Sequence, residues 1–224
     1  MYREQRQYGR DPSALRRSKT KFDEPLRWST PRMVFTCSWS DWFHPGADLW
    51  RSEAWEIVRA TPYLTYQILT KRPELISERL PADWDDGYEN VWLGVSIENS
   101  RFTWRADLLR EIPAAVRFVS AEPLLGSLFS ESGHCKAIDL DGIDWLIVGG
   151  ESGSRSRPMN LDWARELADT CDAHGVAFFM KQLGSVLARE AGLRDRKGGE
   201  LEAFPPDLRR REMPRTGLAL AVCT

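Results

Sequence analysis

Cysteine is scarce and scattered: Cys37, Cys135, Cys171 and Cys223 stand far apart in a chain of 224 residues. Such spacing excludes a disulfide framework and a zinc knuckle, both of which need thiols at short, repeated intervals. Histidine is scarcer still. His44 stands alone, and His134 and Cys135 are adjacent, so their side chains diverge and no third ligand is spaced to complete a metal site. No apolar run approaches the roughly 18–20 residues that cross a bilayer. The start, Met1-Tyr2-Arg3-Glu4-Gln5-Arg6-Gln7, is charged and lacks the apolar segment of a secretory signal. No sign of charge dominates either, since 31 Lys and Arg face 33 Asp and Glu. These absences predict a soluble, cytoplasmic chain with no membrane segment and no global steering towards nucleic acid.

What is present is apolar and aromatic. The hydrophobic fraction is 42%, with 10 Trp and 9 Phe, enough for one sizeable core. Charge is uneven along the chain. Residues 1–32 carry nine basic and four acidic side chains, so this arm is positive and the remainder negative. A basic arm of this kind is a solvated helix face or a contact for nucleic acid.

Six short runs rich in β-branched and aromatic residues recur: Met33–Ser38, Tyr66–Lys71, Val91–Ser96, Val116–Ser120, Trp145–Gly150 and Val176–Gln182. Each is nearly continuous rather than alternating, as in parallel strands covered on both faces. Helical stripes lie between several of them. Trp50, Ala54, Ile57 and Val58 form one, with Asp48 as candidate N-cap; Phe102, Ala106 and Leu109 form another. The cleanest is Ala164, Leu167, Ala168 and Cys171, between Asn160 as N-cap and Gly175 as stop. Leu124–Gly142 shows no helical pattern. The alternation predicts βαβ units with right-handed crossovers.

Both an open doubly wound sheet and a β/α barrel use this alternation, and both bind ligands at the carboxyl ends of the strands. Here those ends read Ser38-Trp39-Ser40-Asp41, Thr70-Lys71-Arg72-Pro73, Ser96-Ile97-Glu98-Asn99, Ser120-Ala121-Glu122-Pro123, Gly150-Glu151-Ser152-Gly153 and Lys181-Gln182. Six furnished ends favour a barrel or part-barrel, because an open sheet builds its site at one switch point. The expected fold is an α/β, incomplete (β/α) barrel of about six parallel strands. Residues 1–32 would be a helical basic arm, 33–184 the part-barrel, and 185–224 a tail packing on or trailing from it.

Gly149-Gly150-Glu151-Ser152-Gly153, followed by Arg155 and Arg157, is either a cradle whose backbone N–H groups hold an anion or a tight turn. It lacks the spacing of a dinucleotide fingerprint or P-loop. Glu98, Glu122 and Glu151 could bind an ammonium or hydroxyls or move a proton, and Lys71, Arg72 and Lys181 supply the opposite sign. Such a rim suits a zwitterionic or nucleotide-like ligand; salt bridges around a barrel mouth are the plainer alternative. No G-x-S-x-G nucleophile elbow is present.

Several of these strings resemble a phage-associated family of unknown function, the phage gene product 37/68 or three-cysteine-motif family. They are Phe35 through Phe43, Ile68 through Pro73, Asn90 through Asn99, Arg117 through Gly126 and Asp144 through Gly153. The likeness runs from about Tyr8 to Pro214. The family looks like a divergent radical S-adenosylmethionine (SAM) barrel. Its members resemble one another in an N-terminal cysteine stretch that would hold a [4Fe–4S] cluster, and that stretch is absent here. The resemblance implies that it would directly precede Met1, so the chain is expected to be truncated at an internal methionine, with a first strand and the cluster loop missing.

By that resemblance, full-length relatives bind SAM and a [4Fe–4S] cluster, whereas this chain is expected to hold no cluster stably. Ser38, Ser40 and Asp41 would face the methionine part of SAM, Ser96 and Glu98 the ribose, and the backbone at Gly149 and Gly150 the adenine, with Glu151 beside it. Asp41, Lys71, Arg72, Glu122 and Lys181 remain as candidates for catalysis or substrate contact. The competing reading is a non-enzymatic phage or mobile-element protein that binds a nucleotide, nucleic acid or partner. An unpaired edge on the Met33–Ser38 strand would favour self-association.

Overall fold

In the computed structural model the described residues are 15–38, 40–129 and 136–215. Six strands form a single sheet: β1 (Arg32–Phe35), β2 (Leu64–Thr70), β3 (Val91–Ser96), β4 (Val116–Ala121), β5 (Trp145–Gly149) and β6 (Ala177–Gln182). Their order in the sheet is their order in the chain, and every neighbouring pair is parallel. A doubly wound sheet reverses its strand order somewhere; this one never does. The result is a curled half-barrel with helices α1 (Asp48–Ala60), α2 (Trp104–Arg110) and α3 (Leu161–His174) in the crossovers after β1, β3 and β5.

The continuous apolar runs are explained by two cores on the two faces of the sheet. Tyr66, Ile68, Leu93, Val95, Val119, Leu146, Val148, Phe178 and Met180 face the helices in the larger core. The alternate positions Trp92, Val116, Phe118 and Trp145 cluster on the concave face with Leu69, Ile147, Ala177 and Phe179 packed against them. Trp145 is the hub. Its ring lies 5.8 Å from Trp92, 5.9 Å from Phe118 and 5.7 Å from Phe179, in tilted or edge-on contacts of the kind aromatic quadrupoles favour. Its indole N–H donates to the Glu212 carbonyl at 2.9 Å, which fastens the tail beneath this floor.

Several expected boundaries move for visible reasons. β1 stops at Phe35 because Cys37 adopts a left-handed φ of 53° and turns the chain off the ladder. It is also not covered on both faces: Met33 and Phe35 are exposed. Asp48 is the first residue of α1 rather than its cap, and its carboxylate holds Arg51 and Arg79 instead. Asn160 caps α3 as expected, accepting from the Asp162 N–H, and Gly175 ends that helix at φ 69°.

Of the helical arm expected over residues 1–32, residues 1–14 lie outside the described residues, and residues 15–32 form no α-helix. The described part of the arm holds a 3-10 turn, Glu24–Arg27. Beyond β6 come α4 (Ser185–Glu190), two 3-10 turns, and an antiparallel bridge from Arg211 to Phe179 that lies along the outer edge of β6. Phe204 and Leu208 of this segment are buried. Among the described residues nothing pairs with the outer edge of β1. No helix among them is long and apolar enough to cross a membrane.

Gly94, in the middle of β3, gives the concave core its density. A Cβ built there would fall within the van der Waals surface of the Phe118 ring. Gly94→Ala should therefore destabilise the fold by about 1–3 kcal/mol through overpacking. Adding Phe118→Leu should recover part of the loss, and chemical denaturation of the single and double variants checks both.

Candidate functional site

Parallel strands in sequential order place every strand's carboxyl end on one rim, so the ionisable residues that follow them meet above the aromatic floor. The rim is organised as three ion-pair groups. In the first, Glu98 beyond β3 is buried and paired with the Lys71 ammonium beyond β2 and with Arg105 of α2, whose guanidinium lies 3.3 Å away. Arg105 also donates to the Ser96 carbonyl at 2.7 Å and stacks over the Phe102 ring. Its Nε is buried without a partner among the described residues.

In the second group, Lys181 of β6 reaches Glu122 beyond β4 at 2.6 Å. The intervening strand, β5, ends in Gly149, and a Cβ there would stand 3.3 Å from the Glu122 side chain. The missing side chain lets a pair form across a strand. In the third group, Arg157 grips Glu151 through two guanidinium nitrogens at 2.8 Å each.

Asp41 has another role. It is buried, and its carboxylate accepts from Thr70 Oγ1 at 2.8 Å, Phe43 N–H at 3.0 Å, Lys71 N–H at 3.1 Å and Arg72 at 2.8 Å. Four donors use the whole acceptor capacity of a carboxylate. Asp41 therefore fastens the turn after β1 to the end of β2 and fixes where Lys71 emerges. Arg72 is drawn into the same clamp. Ser38 and Ser40 are exposed on the turn that Asp41 anchors, and Ser96 is buried at the end of β3 opposite Ser120.

The glycine turn after β5 is closely packed against the end of β6. Gly150 N–H donates to the Gln182 carbonyl at 2.9 Å, and the Gly150 carbonyl accepts from Gln182 Nε2 at 2.8 Å. A Cβ at Gly150 would collide with the backbone of Leu183 and Gly184. The Gly153 and Arg157 N–H groups go to Ser185 Oγ and Glu151. Gly149 and Gly150 thus bring two strand ends together, with the Gly150 backbone groups already committed.

Electrostatically, Lys71 stands out. Partial burial and the nearby Arg105 cation push its ammonium down to about 8, against the opposing pull of Asp41. An amine in this condition carries a neutral fraction at mildly alkaline pH, where ordinary lysines do not. Cys171 lies on the buried stripe of α3, where burial pushes its thiol up to about 12. No three Cys, His, Asp or Glu among the described residues are grouped to hold a metal.

The charged strand ends Lys71, Glu98, Glu122, Glu151 and Lys181 do share the rim read from sequence. Arg105 and the Trp92–Phe118–Trp145–Phe179 floor escaped that reading. Arg105 lies seven positions beyond Glu98, beside Ala106 of the Phe102–Ala106–Leu109 stripe, and the concave-face residues alternate with those of the larger core along β4, β5 and β6. A separate open cleft of about 610 Å³ lies on the convex side between α1 and the 78–83 loop; there Asp48 pairs with both Arg51 and Arg79.

Two outcomes follow from this division of labour. Asp41→Ala should cost about 3–5 kcal/mol, as for removal of one partner from a buried charged network. Glu122→Gln, opposite a half-exposed lysine, should cost no more than about 1 kcal/mol. Thermal and denaturant unfolding compare them. Among the six lysines, Lys71 should be acylated fastest by limiting acetic anhydride at pH 8, and its advantage should fade as the pH falls below about 7 and the amine takes up its proton. Peptide mass spectrometry reads the sites.

Searches of curated proteins and of solved structures return no significant match. A family profile does match. The family described as "Protein of unknown function (DUF5131)" covers residues 2–216, nearly the whole chain, and this protein belongs to it.

Proposed function

We propose that the rim binds a zwitterionic, nucleoside-bearing small molecule of the SAM type, and that the protein is a radical SAM-like half-barrel of phage or mobile-element origin. The observation that carries this reading is the convergence of both signs of charge on one rim above an aromatic floor. In parallel α/β folds that rim is where ligands bind. SAM offers an amino-acid head of both signs, two ribose hydroxyls and a flat base. Lys71 and Arg105 suit its carboxylate, Glu122 its ammonium, Ser96 and Glu98 the ribose, and the half-buried Leu69, Ile147 and Phe179 above the buried aromatic core a planar ring. The unpartnered Arg105 Nε is a donor for which a bound anion would be a partner.

The described residues do not fit an iron–sulfur cluster. Such a cluster needs several converging thiolates; of the two described cysteines, Cys171 is a buried, protonated thiol on the helix layer. The reading is therefore one of binding and positioning by this chain's own side chains, with no electron-transfer step.

Isothermal titration of the full chain with SAM, S-adenosylhomocysteine and ATP tests this. Saturable one-site binding of SAM is expected, weakened at least about tenfold, or 1.4 kcal/mol, by Glu98→Gln or Glu122→Gln. Absence of SAM binding up to millimolar concentration, or binding indifferent to both variants, would overturn it.

A further inference from the structure

The loops beyond β5 and β6 form a lobe whose charge differs from that of the rest of the protein. Residues 151–157 and 183–199 are joined by hydrogen bonds from Ser185 N–H to the Glu151 carbonyl at 2.9 Å and from Gly153 N–H to Ser185 Oγ at 3.1 Å, and the second segment is closed by Gly184 N–H to the Lys197 carbonyl at 2.9 Å. Together they carry six basic residues (Arg155, Arg157, Arg189, Arg194, Arg196 and Lys197) against Glu151, Glu190 and Asp195, in a chain whose net charge is -2.

Two of those three acids are spent internally. Glu151 holds Arg157. Asp195 closes its own turn, accepting from the Lys197 N–H at 3.0 Å and the Gly199 N–H at 2.5 Å, and these bonds hold its carboxyl below the usual range. Arg155, Arg189, Arg194 and Arg196 are exposed and make no ion pair or side-chain hydrogen bond among the described residues, and Lys197 is exposed with only Asp195 nearby.

The loop that carries them is built rather than loose. Leu193 N–H donates to the Ala188 carbonyl at 2.9 Å, Gly198 N–H to the Asp195 carbonyl at 3.0 Å, and Leu183 N–H to the Gly198 carbonyl at 2.9 Å. Leu193 and Leu187 pack against the main core, so the apolar side chains point inward and the cations outward. Gly198 takes a left-handed φ of 61° to complete the turn.

From this we infer that the lobe is an interface for a nucleic-acid phosphate backbone, read by charge rather than by sequence. Unpaired cations on a preformed loop neutralise phosphates without first breaking internal salt bridges, and arginine-rich sets favour phosphate in particular. A membrane surface is the poorer partner, because segments that dock on lipid present an apolar face beside the cations, and this lobe turns its leucines inward. The lobe adjoins the rim at Lys181 and Arg157, so a bound strand would lie beside the concave face. The inference stands on this charge distribution, independently of what the rim binds.

The test is fluorescence anisotropy of the full chain with a labelled 20-nucleotide single-stranded DNA and with its duplex, at several salt concentrations. Vesicles containing phosphatidylserine form a parallel arm. The variant is Arg194→Gln/Arg196→Gln/Lys197→Gln. Arg101→Gln, an exposed cation elsewhere that makes no ion pair, is the control. Binding of either DNA should weaken at least about tenfold in the triple variant, and on single strands the slope of log K against log salt should become shallower by about 2, as expected for three lost phosphate contacts at about 0.7 each. The control should leave both unchanged. Failure of both DNAs to bind at low salt, equal losses in variant and control, or retention by vesicles alone would overturn the inference. SAM titration of the triple variant keeps the two readings apart, since the lobe substitutions should leave it unaltered.

Discussion

The constraint on which the rest of the structure depends is the order and hand of the crossovers between its parallel strands. A right-twisted strand followed by a right-handed connection returns parallel to the first strand and beside it. When that step repeats five times without reversal, as it does from β1 to β6, every strand points the same way. All the residues that follow the strands then gather on one rim, whatever their identities. Lys71, Glu98, Glu122, Glu151 and Lys181 are separated by up to 110 positions in sequence and become neighbours for this reason alone.

Closure of the half-barrel is asymmetric. On one side the tail lays Arg211 against Phe179 of β6, and Trp145 holds the Glu212 carbonyl from within. On the other side β1 is short, its Met33 and Phe35 are exposed, and its outer edge has no strand partner among the described residues. Local order at that end rests on Asp41, which binds the turn after β1 to β2 through four donors. The candidate ligand site thus lies between an end fastened by aromatic packing and an end fastened by one buried carboxylate. Gly149 lets the ends of β4 and β6 join across β5 by leaving room for Glu122 and Lys181 to meet.

Most of the fold was legible because burial on both faces leaves an unmistakable trace. A strand such as Val91–Ser96 must be apolar at nearly every position, and only short β-branched or aromatic runs satisfy that. The error at β1 came from the same rule: Met33–Ser38 reads as a covered strand, but a left-handed Cys37 ends it early, and local backbone conformation of this kind has no apolar signature. The rim was legible in composition and not in pairing. That Asp41 is fully committed, that Gly150 spends its amide on Gln182, and that Arg105 reaches Glu98 are consequences of tertiary geometry. The basic lobe was missed for a related reason. Sequence directs attention to the positive arm at residues 1–32, whereas the unpaired excess at 189–197 is visible only after Asp195 is seen to turn inward.

The central claim is that the carboxyl-end rim, rather than the convex cleft or the exposed β1 face, is where a small molecule binds. Hydrogen exchange followed by mass spectrometry, with and without saturating SAM, tests it most directly. The account predicts slower exchange in peptides spanning 71–75, 96–105 and 120–125, with no change in peptides of α1 or the 78–83 loop. Protection confined to α1 and the 78–83 loop, or to residues 32–35, would contradict it.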